Sequence, residues 1–360
     1  MAENSSRRLA LLVWPAKIIQ AVTEKHVQKG FRMSKLVTIY GGSGFVGRYI
    51  ARRMAKEGWR VRVAVRRPNE ALFVKTYGTV GQVEPVFCNI RDDASVRMAM
   101  LGADAVVNCV GTFDRGGKNN FVAVQTDGAA RIARIAGSLK VGSLVHISAI
   151  GANPEGASLY AQSKGAGEAA VLAAFPTAMI LRPSVIFGNE DGFFNRFAGM
   201  SRLGPILPVV GGGTKFQPVF VDDVAQAAVK GVTGQAAPEV YELGGPDVDT
   251  FKGLMARMLT VIHRRRLVLN VPFFVARIMA TVLDFGAIAT GGFIKNGLLT
   301  RDQVTSLRSD NIVAPGAKTL TDLGITATPM DAVIPEYLWR YRPSGQYAAI
   351  KDSAKNLKRG

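Results

Sequence analysis

Tyr160 and Lys164 stand four residues apart in Tyr160-Ala161-Gln162-Ser163-Lys164, and Ser148 closes an apolar run twelve residues before them. On a helix that spacing puts phenol and ammonium on one face. A tyrosine with an ordinary pKa of about 10 is a poor acid or base at neutral pH, and a neighbouring ammonium is expected to favour the phenolate and lower that value. A serine hydroxyl beside the pair can orient a carbonyl or alcohol while the tyrosine passes a proton, and the lysine can also bind a ribose. The chemistry open to such a set is proton transfer coupled to hydride transfer, with a cofactor carrying the hydride. Tyr-x-x-x-Lys by itself is a common helical pattern, so its meaning depends on its surroundings.

Those surroundings begin at Tyr40-Gly41-Gly42-Ser43-Gly44-Phe45-Val46-Gly47, which follows the apolar run Leu36 to Ile39. Gly41, Gly44 and Gly47 permit a tight strand-to-helix turn and close approach of backbone to a pyrophosphate. Ser43, Phe45 and Val46 share the turn, whose helix N-terminus offers unpaired N–H groups to phosphate. The spacing is G-x-x-G-x-x-G, not the standard G-x-G-x-x-G. An acidic residue closing the second strand would select NAD through the ribose 2′-hydroxyl; this chain has Val65-Arg66-Arg67 there, and Arg48 follows the last motif glycine. Guanidinium matches a 2′-phosphate, so NADP(H) is favoured over NAD(H). Asn89 and Ile90 after the third strand, Val110 and Gly111 after the fourth, and Pro183 and Ile186 after the sixth complete the expected cofactor-binding set. Asn89 can hydrogen-bond an adenine amino group.

The elements needed to position these residues are legible as periodicity. Strands are expected at 36–40, 60–65, 83–88, 105–110, 144–148 and 178–181, and helices at 48–57, 94–101, 129–138 and 159–174. That alternation reads as an α/β fold, a Rossmann-type doubly wound parallel sheet with a smaller C-terminal α/β lobe. The expected divisions are an N-terminal extension at 1–34, a nucleotide-binding domain at 35–182, a substrate or docking lobe with interleaved elements at 183–342, and a basic, mobile tail at 343–360.

The formal net charge of +18 is concentrated at the ends. Residues 1–32 carry six Lys/Arg against two acids, and residues 251–360 carry sixteen against seven. Such ends suit an anionic membrane or an acidic subunit, or form a solvated basic face. No aromatic-basic interleaving or nucleic-acid motif accompanies the charge, so nucleic acid is not expected as a partner. Cys88 and Cys109 lack C-x-x-C spacing and His26, His146 and His263 lie far apart, so neither disulfide nor metal site is expected. Residues 9–19 follow Arg7-Arg8 as in an export or transit signal, yet Pro15 and Lys17 interrupt them and no cleavage site follows. Met33 would serve as a start, leaving 1–32 as an upstream extension, an amphipathic anchor or a processed leader. The apolar stretch 268–294 contains Pro272, Arg277 and Asp284 and reads as a buried or interfacial helix, not a membrane span.

With these residues in view, the chain resembles the extended or atypical short-chain dehydrogenase/reductases. The likeness rests on the glycine turn, Ser148 with Tyr160 and Lys164, Leu181-Arg182-Pro183-Ser184-Val185-Ile186-Phe187-Gly188, Pro218 to Ala225 and Tyr241 to Pro246. It extends through Leu299 to Val304, Leu323-Gly324-Ile325 and Pro335 to Leu338 toward the NAD(P)-binding accessory subunits of respiratory complex I, the alpha-subcomplex subunit nine group, and their bacterial relatives. That resemblance implies a peripheral accessory or assembly subunit with a mainly structural cofactor, partnered by other complex I subunits and a membrane surface. It would sit on the cytoplasmic face of a bacterial inner membrane or on the matrix side in mitochondria. Two departures bear on turnover: Tyr40 stands where active members usually have Thr, and Gln125 where they have Asn. The rival implication is a working NADP-dependent oxidoreductase or sugar epimerase/dehydratase, with a quinone or lipid as a further substrate class.

Overall fold

Five consecutive buried residues, Leu36–Tyr40, form β1 at the centre of the molecule. The computed structural model describes residues 34–114, 116–289 and 300–347, the side chains at 283–289 and 346 excepted. After β1 come α1 (Phe45–Lys56), β2 (Arg60–Val65), a 3-10 segment (Pro68–Tyr77), β3 (Val83–Phe87), α2 (Asp93–Met100) and β4 (Ala105–Asn108). A wide π turn (Val122–Thr126) runs into α3 (Asp127–Ser138), followed by β5 (Ser143–Ile147), α4 (Leu159–Ala174), β6 (Met179–Pro183) and β7 (Ile186–Phe187). The chain continues through α5 (Phe194–Met200), β8 (Ile206–Val210), β9 (Lys215–Phe216), β10 (Val219–Phe220), α6 (Val221–Thr233), β11 (Val240–Leu243) and β12 (Asp249–Thr250). Last are α7 (Phe251–Val261), β13 (Leu267–Val271), α8 (Phe273–Ala289), α9 (Arg301–Ser306) and α10 (Met330–Leu338).

Seven strands make one parallel sheet in the order β11-β6-β5-β4-β1-β2-β3. A sheet covered on both faces needs strands apolar on both sides, which is why β1, β4 and β5 are mostly apolar, with Thr38, Asn108 and His146 as buried polar exceptions. On one face Ile50 and Met54 of α1 and Val224 and Ala228 of α6 pack against Val37, Ile39, Val63 and Val145. On the other, Val96 and Met100 of α2 and Ile132 and Ile135 of α3 cover Val106, Leu144 and Ile180. A two-pronged ion pair from Arg53 to Asp222, at 2.7 and 2.6 Å, ties α1 to α6. A third core of Phe187, Phe194, Leu207, Phe216, Phe251, Met258 and Ile334 gathers α5, α7 and α10.

The six expected strands form, with edges set by local chemistry. β4 stops at Asn108 because its side-chain Oδ1 accepts the Val110 N–H at 3.0 Å and turns the chain. α1 starts three residues before the expected 48 because the glycine turn itself supplies its first positions. The stretch 268–294 is not one helix: 268–271 belong to β13, which pairs in parallel with β8, and Pro272 separates it from α8. Pairing with β8 outweighs the helical reading, because strand preference depends on cross-strand packing more than on the residues alone. Residues 1–33, 290–299 and 348–360, hence most of the extension and tail, lie outside the described residues.

Candidate nucleotide site

Gly41 has φ +75°, a left-handed conformation that suits glycine, and its N–H bonds the Ala64 carbonyl at 3.0 Å. That bond lashes the turn to the end of β2. A Cβ on Gly47 would lie 2.5 Å from the Gly41 oxygen and 2.6 Å from the Gly42 Cα, so helix and turn touch through glycine alone. Gly44 caps α1 without a side-chain acceptor, and the first turn of the helix holds no acid. The N–H groups from Phe45, Val46 and Gly47 are therefore offered to an anion, reinforced by the helix dipole. Phe45 also packs under Gly188, bringing the turn beside the loop that holds Pro183 and Ile186.

The three arginines are not equivalent. Arg66 and Arg67 are exposed just past β2, with Arg67 paired to Glu70 at 3.0 Å. Arg48 is engaged: it donates to the Ser43 carbonyl at 3.0 Å, meets Glu190 at 3.3 Å and lies 4.9 Å from the Phe73 ring centroid. A 2′-phosphate would compete with Glu190 for it. Asn89 sits two residues past β3, its N–H bonded to Ser95 Oγ at 2.9 Å and its Oδ1 accepting the Arg91 N–H at 3.2 Å. Ile90 is buried beneath Gly128, where a Cβ would come within 3.0 Å.

Ser148, one residue past β5, is buried, and its Oγ has no hydrogen-bond partner among the described residues. Ser158 caps α4 by accepting the Ala161 N–H at 3.1 Å, and the helix then carries Tyr160 and Lys164. Lys164 is buried and donates to the Ile147 carbonyl at 3.1 Å, with Gly111 opposite its ammonium at 4.0 Å from the glycine's ideal Cβ position. Burial pulls its pKa down to about 8, against the opposing pull of Glu168 and Cys109. Glu168 in turn is gripped by Arg182 of β6 at 2.6 Å, which fixes the rear of α4 to the sheet.

The expectation of an activated phenol is not met. Tyr160 is pushed up to about 12 by burial, and the Lys164 ammonium is turned to a backbone carbonyl. Phe113 stacks on the Tyr160 ring at 5.5 Å and Phe121 meets it edge-on at 6.1 Å, so its surroundings are aromatic. The spacing put Tyr160 and Lys164 on one helix face, but the partners brought there by the fold decide which form of the phenol is favoured.

Gln125 lies in the π turn, buried, with Nε2 on the Thr112 carbonyl at 2.6 Å and Oε1 accepting from Ser163 Oγ at 3.0 Å. It ties the π turn to α4 and to the loop after β4. Sequence reasoning missed Asp302, whose carboxylate accepts the Leu159 and Tyr160 N–H groups at 2.6 and 3.1 Å. The Thr300-x-x-Gln303 capping box was the available signal that a helix begins there. His146 is buried with its pKa pulled down to about 3, chiefly by burial, and Nδ1 faces Asn108 Nδ2 at 3.1 Å. Cys88 and Cys109 are free thiols pushed up to about 11 and about 12 by burial, hence poor nucleophiles. Among the described residues no group of three or more His, Cys, Asp or Glu is arranged to hold a metal.

The residues present fit a nicotinamide dinucleotide: a glycine cradle that a side chain would fill, a helix N-terminus aimed at phosphate, and a buried hydroxyl with its bonding capacity unused. When bound, such a cofactor supplies hydride chemistry; Ser148, Tyr160 and Lys164 would hold its ribose and orient what lies beside it. The NAD dependent epimerase/dehydratase family matches residues 37–244. The chain belongs to that family. It is 32% identical over 321 residues to NADH dehydrogenase (ubiquinone) 1 alpha subcomplex subunit 9, mitochondrial, of Arabidopsis thaliana, covering 86% of this chain and 79% of that protein. It is 30% identical to the NADH-ubiquinone oxidoreductase 40 kDa subunit, mitochondrial, of Neurospora crassa, over 86% and 80%. Ceramide reductase of Caulobacter vibrioides is 32% identical over 54% of this chain and 60% of that one. Among solved folds, the Bordetella bronchiseptica enzyme WbmH in complex with NAD+ superposes with a TM-score of 0.61 at 18% identity, covering 87% and 99%.

Proposed function

We propose that this protein is a peripheral accessory or assembly subunit of respiratory complex I that holds NADP(H) as a structural cofactor. The observation that carries the reading is its likeness, over 86% of its length, to subunits named for that complex. Its own site agrees with a holding role: Tyr160 lies under Phe113, its pKa raised, and Lys164 donates to the Ile147 carbonyl, where its other N–H groups would suit a ribose. Arg66 and Arg67 favour NADP(H) over NAD(H), because a 2′-phosphate gives their guanidinium groups a charge-assisted partner that a hydroxyl does not. Among the described residues no helix is long and apolar enough to cross a membrane. We place the protein on the cytoplasmic face of a bacterial inner membrane or the matrix side in mitochondria, touching the bilayer surface and other complex I subunits, with residues 35–182 as the nucleotide domain and 183–342 as the docking lobe. The test is native electrophoresis of gently solubilised membranes. Comigration with NADH dehydrogenase activity supports the subunit; migration alone at low salt defeats it.

A second reading has its own support. The Ser148, Tyr160 and Lys164 set is complete, Phe113, Val122 and Leu159 are exposed near Tyr160, and one relative is named a ceramide reductase. A working oxidoreductase for an apolar carbonyl or alcohol would consume NADPH in a manner abolished by Tyr160→Phe.

A further inference from the structure

A carboxylate from the far end of the chain closes the first turn of the helix that carries Tyr160 and Lys164. Asp302 is buried, and its two oxygens accept the Leu159 N–H at 2.6 Å and the Tyr160 N–H at 3.1 Å. Ser158 meets the next donor, Ala161. A helix start ordinarily satisfies its first N–H groups with its own cap residue or with water. Here two of them depend on a residue more than 140 positions downstream. Among the described residues no lysine or arginine pairs with Asp302, and the positive end of the sixteen-residue α4 takes that role.

Asp302 is itself held firmly. Gln303 N–H bonds Thr300 Oγ1 at 3.2 Å and Thr300 N–H bonds Gln303 Oε1 at 3.1 Å, fixing the start of α9. Val304 is buried with Ala276, Ala280 and Val210, and Arg301 Nε donates to Thr281 Oγ1 at 2.7 Å, so α9 is fastened to α8. The bond to Tyr160 N–H is direct. One turn later Lys164 is pinned to Ile147 at the carboxyl end of β5, so Asp302 and Ile147 together fix where the Tyr160–Lys164 face lies.

We propose that Asp302 is a positioning residue for the nucleotide site: through the first turn of α4 it sets the placement of Tyr160 and Lys164, so that nucleotide binding and the seating of α9 on α4 strengthen each other. The inference rests on the reading of Tyr160 and Lys164 as ribose-binding. Linkage makes the effect reciprocal, because a contact that favours the bound form is itself favoured by binding. The sequence marks a helix start at Thr300–Gln303 but not its contact with α4, since Asp302 lies far beyond the nucleotide half of the chain.

The experiment uses the full-length protein, NADPH and NADH as probes, calorimetry for affinity and hydrogen exchange for the two helices. Asp302→Ala should weaken NADPH binding about tenfold, the scale of a lost helix cap with its orienting effect. Asp302→Asn keeps the shape and one acceptor and should fall between wild type and alanine. Val304→Ala loosens the packing of α9 on α8 while leaving the carboxylate in place, and at a temperature where every variant is folded it should weaken affinity only about two- to threefold, clearly less than Asp302→Ala. In the wild type NADPH should slow exchange at 159–161 and 303–307 together, and in Asp302→Ala the second segment should no longer respond. Affinity unchanged in both Asp302 variants, or weakened as much by Val304→Ala, overturns the positioning role, as does wild-type exchange at 303–307 indifferent to NADPH. Should wild type bind neither nucleotide, the cofactor reading itself falls and this inference with it.

Discussion

Two parallel β structures in this protein meet opposite fates. Helices cover both faces of the seven-stranded sheet, and its inner strands β1, β4 and β5 are almost wholly buried. The β8–β13 ribbon buries Leu207 and Val209 in the aromatic core on one face, while Ile206, Leu267 and Leu269 on the paired opposite face stand in solvent, Leu267 at 64% exposure. α8, which follows directly, presents Phe274, Ile278 and Val282 at four-residue intervals, Phe274 at 68% exposure. Strands with one face in solvent normally carry polar residues on that face. The central sheet therefore completes its own burial and carries the nucleotide chemistry, whereas the ribbon and α8 leave apolar surface of the kind that marks a contact with something else. Arg264, Arg265 and Arg266 precede the ribbon, and Arg264 is pulled down by burial and then by its neighbours Arg266 and Arg202.

The hardest blow to the nucleotide half should come from Gly47→Val. The new side chain starts 2.5 Å from the Gly41 oxygen, so turn and helix must part. A stability loss of about 2–4 kcal/mol and nucleotide affinity lower by about a hundredfold are expected from overpacking at a backbone contact. Denaturant unfolding and calorimetry check both, and a variant that binds like wild type would show that the turn is not the phosphate cradle.

A titration sharpens the comparison next, since the ribbon has no counterpart to Lys164. With its folded pKa lowered from 10.5 to about 8, the folded state sheds this proton before the unfolded chain does. Stability should thus rise with pH from about 8 toward 10.5 as the buried ammonium is relieved, the unfolded chain still binding the proton. Nucleotide affinity should run the other way, falling by up to about tenfold per pH unit above the midpoint, because ribose and phosphate prefer the ammonium. Lys164→Met should flatten both slopes; affinity that still falls in that variant assigns the effect to another group.

Cofactor choice should be a smaller effect, about tenfold or 1.4 kcal/mol in favour of NADPH over NADH. Arg66→Ala with Arg67→Ala should erase it, and Arg48→Ala should matter less because Glu190 already occupies that guanidinium. Equal affinities in the wild type would remove NADP(H) preference from the reading.

The ribbon should yield least in stability and most in location. Leu267→Ser with Leu269→Ser should shift folding by no more than about 0.5 kcal/mol, since surface positions seldom do more. The same pair should release the protein from isolated membranes at moderate salt, where wild type is only partly released because apolar contact resists screening. Sedimentation decides it, and unchanged retention would leave the exposed face without a role.

Periodicity and glycine spacing were enough for the sheet, the turn and the Tyr160–Lys164 face, because a parallel strand and a strand-to-helix turn are local events written in consecutive residues. Where Ser148, Gly47 and Arg66 fall relative to their strands could be read from position alone for that reason. The stretch 268–294 misled because Leu-Val-Leu is compatible with either element until β8 arrives to pair with it. Whether Lys164 activates the phenol turned on Ile147 and on the stacking of Phe113, and where α4 begins turned on Asp302. Those are contacts between residues far apart in the chain. Sequence by itself determines which groups can lie on one face; burial, which alone sets a dielectric and a partner, exists only once the chain has folded.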